Sequence, residues 1–544
     1  MVNTEVVHQM RRLALFLSLA ALAPAAAQEI DAERIRAHTR FLASDLLEGR
    51  GVGSRGELLA TEYLATQLAL AGVKPAGDMG TFFQRVPLVG VETQPTATLS
   101  ATGKTGSLSY KWLEDFVGVT QQQNPNAAFD AEAVFVGHGI SAPEFGWDDY
   151  KGIDVTGKVV VLFTNEPPST DPNFFGGRAL TYYGRWTYKY EQAIRKGAVA
   201  CLIIHTTPTA GYGWDVVRSS WGREDFQVKA EGPQLAFAGW ISTEGGERLA
   251  KLAGKTLDEL LRAADSRGFK AFPLGIRIKG SIPSKIRQID TRNVVGKIPG
   301  SNDTLKDEAV IFSAHWDHLG VGRPVNGDAI YNGAVDNATG CAIVLEIARA
   351  WASLEHKPKR SALFLFVTAE ESGLRGSEYY ARKPVVSAGK TALAVNFDAF
   401  YPFGRTRDVV VNGAERTTVW PIVQNAAKRL RLEITPDPRP EQGTYYRSDH
   451  FSFAKAGIPA FSVSMGTQFE GKPTDFGNTV FQEYNSKNYH QPSDEYREEW
   501  DFSGLEEIAR FGFLIGADAA ALPALPTWRP NDEFLPARKK SGVN

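Results

Sequence analysis

The chain has 544 residues, 43% of them hydrophobic and 22% charged, which is a globular composition and too long for one ordinary core. A formal charge of −2 at pH 7 gives no electrostatic case for nucleic acid or an anionic membrane as the main partner. At the N-terminus Arg11 and Arg12 precede an apolar run from Leu13 to Ala23, followed by Pro24 and Ala25-Ala26-Ala27. A charged region, a short apolar region and a small-residue cleavage site predict a secretory signal peptide over residues 1–27. Removal near Ala27 would leave a secreted or periplasmic protein. That run falls well short of the roughly 20 residues that span a bilayer, and no later one reaches that length, so no membrane span is expected. Cys201 and Cys341 both lie in apolar runs and are expected as buried free thiols.

From Ile30 to Val73 apolar residues recur at helical spacing, as at Leu58, Tyr63, Leu64 and Leu68. The glycine-rich string from Glu48 to Gly56 interrupts them; no strand precedes it, so it reads as a loop between helices rather than a nucleotide cradle. From about Ala131 short strands are expected at Ala133–Gly137, Lys158–Phe163, Val199–His205 and Gln234–Ile241, with helices at Tyr188–Lys196 and Glu244–Ala264. The string Gly157-Lys-Val-Val-Val, then Tyr190 and Ala193 before Gly197-Ala-Val-Ala, resembles the protease-associated (PA) domain. From Arg292 strands and helices alternate: strands at Val310–Ala314, Ala362–Thr368, Ala392–Asn396 and Pro459–Val463, helices at Gly340–Trp351, from Gly376, and at Val419–Leu430. The expected fold class is therefore α/β, a mostly parallel sheet flanked by helices, with an inserted β-rich module. The expected division is residues 28–130 and 271–530 in the α/β domain, 131–270 in the insertion and 531–544 as a C-terminal tail, with loose packing expected from about Pro523.

Ligands of open α/β sheets bind outside the carboxyl ends of the strands. There the chain places His315-Trp-Asp317-His318, Glu370-Glu371 and Asp398, with Asp336-Asn337 entering a helix and Tyr489-His490 far downstream. Each has a bland alternative: a solvated turn for the Glu pair, a core histidine, an N-cap at Asp336. Their joint recurrence at one sheet edge points to metal. Zinc takes His nitrogen and carboxylate oxygen and leaves a position for water. Two zinc ions roughly 3.5–4 Å apart can share one water and bring its pKa towards about 7. Of two adjacent carboxylates, one can face metal and the other take the water's proton.

The strings Ser313-Ala-His-Trp-Asp-His-Leu-Gly320, Gly333-Ala-Val-Asp-Asn-Ala-Thr-Gly340, Thr368-Ala-Glu-Glu-Ser-Gly-Leu-Arg-Gly-Ser377, Asn396-Phe-Asp398, Arg447-Ser-Asp-His450 and Tyr489-His-Gln-Pro-Ser-Asp494 together resemble the M28 zinc exopeptidases. The resemblance implies two zinc ions per chain, one held by His315 and Asp398, the other by Glu371 and His490, with Asp336 bridging. It implies Glu370 as general base, Asp317 as the carboxylate that orients His315, and Tyr489 as a donor to the developing oxyanion. One departure is Val335, where many relatives carry a further acidic residue. His318, Asp449 and His450 fall inside matching strings without being ligands, and Tyr445, Tyr446 and the loop from Phe469 to Phe481 are candidates to line a specificity pocket.

The reading is a metallo-aminopeptidase acting on peptides with a free N-terminus. A carboxypeptidase would share every metal ligand and needs basic residues for a C-terminal carboxylate, for which Arg375, Arg405, Arg407 and Arg447 are candidates. A glutaminyl cyclase is disfavoured by the inserted module, and a non-catalytic relative by the complete ligand set. Oligomeric state and side-chain preference leave no mark in the sequence.

Overall fold

The structure, a computed structural model, describes residues 29–543, so the expected signal peptide lies outside the described residues. These divide into two compact units, one made of the residues up to Val86, Asp290–Asp437 and Arg447 onward, the other of Pro87–Ile289 and Pro438–Tyr446.

In the first unit the strands Ser361–Val367, Ala309–His315, Thr391–Phe397 and Ala460–Met465 lie side by side in that order, each parallel to its neighbour. The sheet continues on one side into the end of Phe272–Ile298 and on the other into Asp408–Asn412, both antiparallel to their neighbours. The first three strands are buried along their whole length. That is why they read as continuous apolar runs: helices cover both faces of such a sheet. One helix, Thr339–Ser353, packs with Ser503–Ala521 through Trp351 and Phe513, whose ring centroids are 5.7 Å apart. Gly516 lets that second helix sit directly on the sheet, since a Cβ there would meet the Phe312 ring at 2.2 Å. The expected mostly parallel sheet flanked by helices is the observed architecture.

In the second unit Val159–Phe163, Ala200–Ile204 and Phe237–Ile241 form a parallel group, with Phe116–Val119 antiparallel at its edge. The helix Trp186–Arg195 lies where its sequence pattern predicts. The pattern over Glu244–Ala264 is two helices, Thr243–Leu252 and Leu257–Ala264, because Thr256 starts a new one with a capping box to Glu259.

Three expectations change. Strands begin well before Ala131, with Phe83–Thr93, Thr98–Gly103 and Gly106–Tyr110. A 27-residue strand, Phe272–Ile298, runs where none was read. The C-terminal tail is not loose: Trp528 and Phe534 are buried and Leu535–Lys540 is helical. Trp528 donates to the Gly457 carbonyl, and the buried Arg538 guanidinium donates to the carbonyls of Pro526 and Ala388, which is what holds the tail. Cys201 and Cys341 are buried and free, as expected.

Candidate metal centre

The parallel strands deliver the candidate residues from their carboxyl ends. His315 is the last residue of Ala309–His315, Glu370 and Glu371 follow Ser361–Val367, and Asp398 follows Thr391–Phe397. Asp336 sits in the turn Ala334–Ala338 that enters the helix Thr339–Ser353, and His490 follows the helix Phe476–Lys487. Left-handed backbone gathers there at non-glycine positions, with φ of +52° at Ala369, +56° at Ala399 and +57° at His490. Each such residue costs about 1–3 kcal/mol and persists where the surroundings over-determine it, as at functional sites.

His315, Asp336, Glu371, Asp398 and His490 converge. His315 Nε2 lies 3.1 Å from Asp398 Oδ1 and 3.1 Å from Asp336 Oδ1. His490 Nε2 lies 2.9 Å from Glu371 Oε2 and 3.5 Å from Asp336 Oδ2. Asp336 thus turns one oxygen towards each histidine. At bond lengths of about 2.0–2.1 Å the edge of a tetrahedral zinc site is about 3.3 Å, and all four spacings straddle that value. The donor set, two imidazoles and three carboxylates of which one is shared, fits zinc.

The remaining oxygens are held by the protein. Asp398 Oδ2 accepts from Ser448 Oγ at 2.6 Å, and Ser448 in turn accepts from Asn396 Nδ2 at 2.8 Å. Glu371 Oε1 accepts from His318 Nδ1 at 2.6 Å. The Asp494 carboxylate accepts from the Val335 and Asp336 amides and the Tyr484 hydroxyl, fixing the backbone that carries Asp336. Ser448, Asn396 and Asp494 have no assigned role in the sequence reading, although all three lie inside or beside the matching strings.

Asp317 departs from its expected role. His315 Nδ1 donates to the backbone carbonyl of Asp317 at 3.1 Å, while the nearer carboxylate oxygen stands 3.8 Å away. The carboxylate instead accepts from the amides of Glu370, at 3.1 Å, and Glu371, at 3.4 Å. Asp317 therefore ties the His315 strand end to the Glu370-Glu371 turn. Tyr445 and Tyr446, candidates for a specificity pocket, belong to the second unit and are buried, and Tyr446 stacks with Tyr182. Arg375, a candidate for a substrate carboxylate, pairs with Glu378 at 3.3 Å.

Charge is concentrated in the centre. Burial works against a charged His315, yet Asp398, Glu370 and Asp336 hold its pKa well above the ordinary value. His490 is likewise raised to about 10, with burial opposed by Glu371 and Asp336. Glu371 falls to about 2 because His318 and His490 outweigh its burial and the neighbouring Asp336. Burial lifts the Glu370 carboxyl well above its usual range, with Asp398 and Glu371 adding to that against the pull of His315. Tyr489 lies flat on the His490 ring, 3.8 Å between centroids. Burial and then the carboxylates of Asp336, Glu371 and Glu370 keep its phenol protonated. The arrangement can hold cations, keep one carboxyl ready for a proton, and present one phenolic donor.

Residues 293–511 match the family model described as peptidase family M28. A probable leucine aminopeptidase 2 of Aspergillus oryzae is 25% identical over 396 residues, 71% of this chain and 65% of that protein. Carboxypeptidase Q of Xenopus laevis is 29% identical over 258 residues, 46% of this chain and 44% of that protein. Both matches span less than two thirds of the relative's own length. Among solved structures, an aminopeptidase from Aneurinibacillus sp. strain AM-1 aligns with a TM-score of 0.48 at 21% identity, covering 93% of this chain and 98% of that one.

Proposed function

Because residues 293–511 form a segment of peptidase family M28, we propose that this chain is a two-zinc aminopeptidase that removes N-terminal residues from peptides. The observation that carries the reading is the split of Asp336, one oxygen 3.1 Å from His315 and the other 3.5 Å from His490. In this reading His315 and Asp398 hold one zinc, Glu371 and His490 the other, and Asp336 both. When bound, the zinc ions supply Lewis-acid polarisation of the scissile carbonyl and lower the pKa of water towards about 7.

The chain's own residues do the rest. Glu370 takes the proton of the attacking water at its carboxylate and returns it to the leaving amine, a role suited to a carboxyl whose burial raises its pKa. Asp317 fixes the direction of Glu370 by accepting from its backbone amide. Tyr489, held protonated, donates to the oxygen that gains charge as the carbonyl becomes tetrahedral. The second unit is read as a PA insertion, supported by the string Gly157-Lys-Val-Val-Val, whose valines form the buried strand Val159–Phe163.

Hydrolysis of Leu-p-nitroanilide set against an N-blocked peptide with a free C-terminus tests the assignment. Cleavage of the first alone, abolished by chelation and restored by zinc, is expected. Cleavage of the second alone makes the chain a carboxypeptidase, the activity named for the Xenopus relative.

A further inference from the structure

The two terminal carboxylates of the centre are built alike. Asp398 directs Oδ1 at His315, and its other oxygen is held by Ser448 Oγ at 2.6 Å. Glu371 directs Oε2 at His490, and its other oxygen is held by His318 Nδ1 at 2.6 Å. Ser448 cannot compete for zinc in such company, but a histidine can, and His318, Asp336 and Glu371 are close enough to form a donor group of their own. The spacing decides between these roles. Two donors to one tetrahedral zinc stand about 3.3 Å apart, as His490 and Glu371 nearly do. At 2.6 Å, His318 and Glu371 are too close to share a cation and have the separation of a charge-assisted hydrogen bond. In that bond His318 Nδ1 donates and Glu371 Oε1 accepts.

The surroundings fix the ring in this orientation. The His318 side chain is wholly buried, and its backbone amide donates to the Arg50 carbonyl. Its ring lies under the Gly333 turn, where φ is +59° and a Cβ would meet His318 Cγ at 2.5 Å, so only glycine leaves room for the imidazole. Arg50 donates to the carbonyls of Trp316, Asn332 and Gly333, closing the chain excursion that begins and ends beside His318.

We propose that His318 is a positioning residue that holds Glu371 as a one-oxygen ligand, so that Oε2 alone serves the zinc shared with His490. The proposal rests on the two-zinc reading of the same centre. It predicts a site-selective effect, because His318 touches the carboxylate of one site and not of the other.

The test is zinc binding by equilibrium competition against a chelator, with cobalt absorption as a second readout, on the wild-type protein and three variants. His318→Leu removes the donor. His318→Asn keeps an amide N–H near the Nδ1 position, whereas His318→Gln carries it out towards Nε2. Wild type and His318→Asn are expected to bind two zinc ions per chain with like affinities. His318→Leu and His318→Gln are expected to keep one at wild-type affinity and to bind the other about 10–100-fold more weakly. Should His318→Leu fail to fold, the Asn and Gln pair carries the comparison. Unchanged second-site affinity in His318→Leu or His318→Gln overturns the proposal, as does equal weakening of both sites. Loss in His318→Asn matching that in His318→Gln overturns it too, and would make His318 a ligand. A wild-type protein that binds fewer than two zinc ions sinks the two-zinc reading itself, a result distinct from these.

Discussion

Glu370 and Glu371 are neighbours with opposite electrostatics: burial and like charge lift the first, while two histidines depress the second. Their substitutions should therefore separate. Glu370→Gln is expected to lower kcat about 10²–10⁴-fold with zinc content unchanged, the range for loss of a general base. Glu371→Gln should instead lose zinc, read by elemental analysis. The histidines set a pH dependence. In the metal-free protein His490 is raised to about 10, so its pairing with Glu371 stabilises the fold fully below about pH 6.5 and loses that contribution as pH rises through about 10. Ligation needs the ring nitrogens without protons, so zinc loading at pH 7 is expected to release protons, with His315 and His490 among their sources. Apparent affinity then rises with pH. Calorimetry in buffers of different ionisation enthalpy measures the release, and a buffer-independent heat would count against this charge state. His315, Glu371 and Asp398 were legible as candidates because each ends or follows an apolar strand, whereas Asp336 and His490 stand beside helices and were marked by the matching strings. The partners of Asp317 were not, because whether a carboxylate faces an imidazole or two amides depends on turn geometry that spacing does not encode.

Among the elements, the excursion from Trp316 to Gly333 bears most on the centre, since it leaves His315 and returns just before Asp336. It carries an exposed hairpin, Gly320–Val325 with Asp328–Tyr331, turned at Asn326-Gly327 with positive φ at both residues. Arg50 ties its two ends together from inside, and the guanidinium is almost wholly buried. Arg50→Ala would strip buried carbonyls of their donors at about 1–3 kcal/mol each. A fall of about 3 kcal/mol or more in urea-unfolding stability is expected, together with weaker zinc binding, and an unchanged midpoint would refute that role. Of the glycine-rich string read as a loop between helices, Gly51–Ser54 is loop, while its start belongs to the 3-10 segment Asp45–Arg50 and its end to the helix Arg55–Leu70, and nothing local says that its arginine reaches across to Trp316. The 27-residue strand was missed despite its alternation of buried Leu274, Ile276 and Ile278 with exposed neighbours, a period-2 signal that the Pro and Gly residues along it mask. The tail was misjudged for a similar reason, since Pro-rich composition suggests looseness while Trp528 and Arg538 supply anchors that only the folded neighbours reveal.

At the scale of the molecule, the sheet of the first unit does one thing for function. Its parallel strands end at or shortly before His315, Glu371 and Asp398, candidate donors that stand within a few ångströms of Asp336 and His490. Among the described residues no helix is long and apolar enough to cross a membrane. Cations that bind the folded chain and not the unfolded one must stabilise it, by about 4 kcal/mol at a thousandfold excess over Kd. The zinc-loaded protein is therefore expected to melt well above the chelated form, and equal melting temperatures would mean that the centre binds no metal. The most direct measurement is anomalous scattering at the zinc edge from crystals of the zinc-loaded protein. Two peaks within about 4 Å of each other are predicted, one among His315, Asp336 and Asp398 and one among Asp336, Glu371 and His490. A single peak, or peaks away from Asp336, would contradict the account.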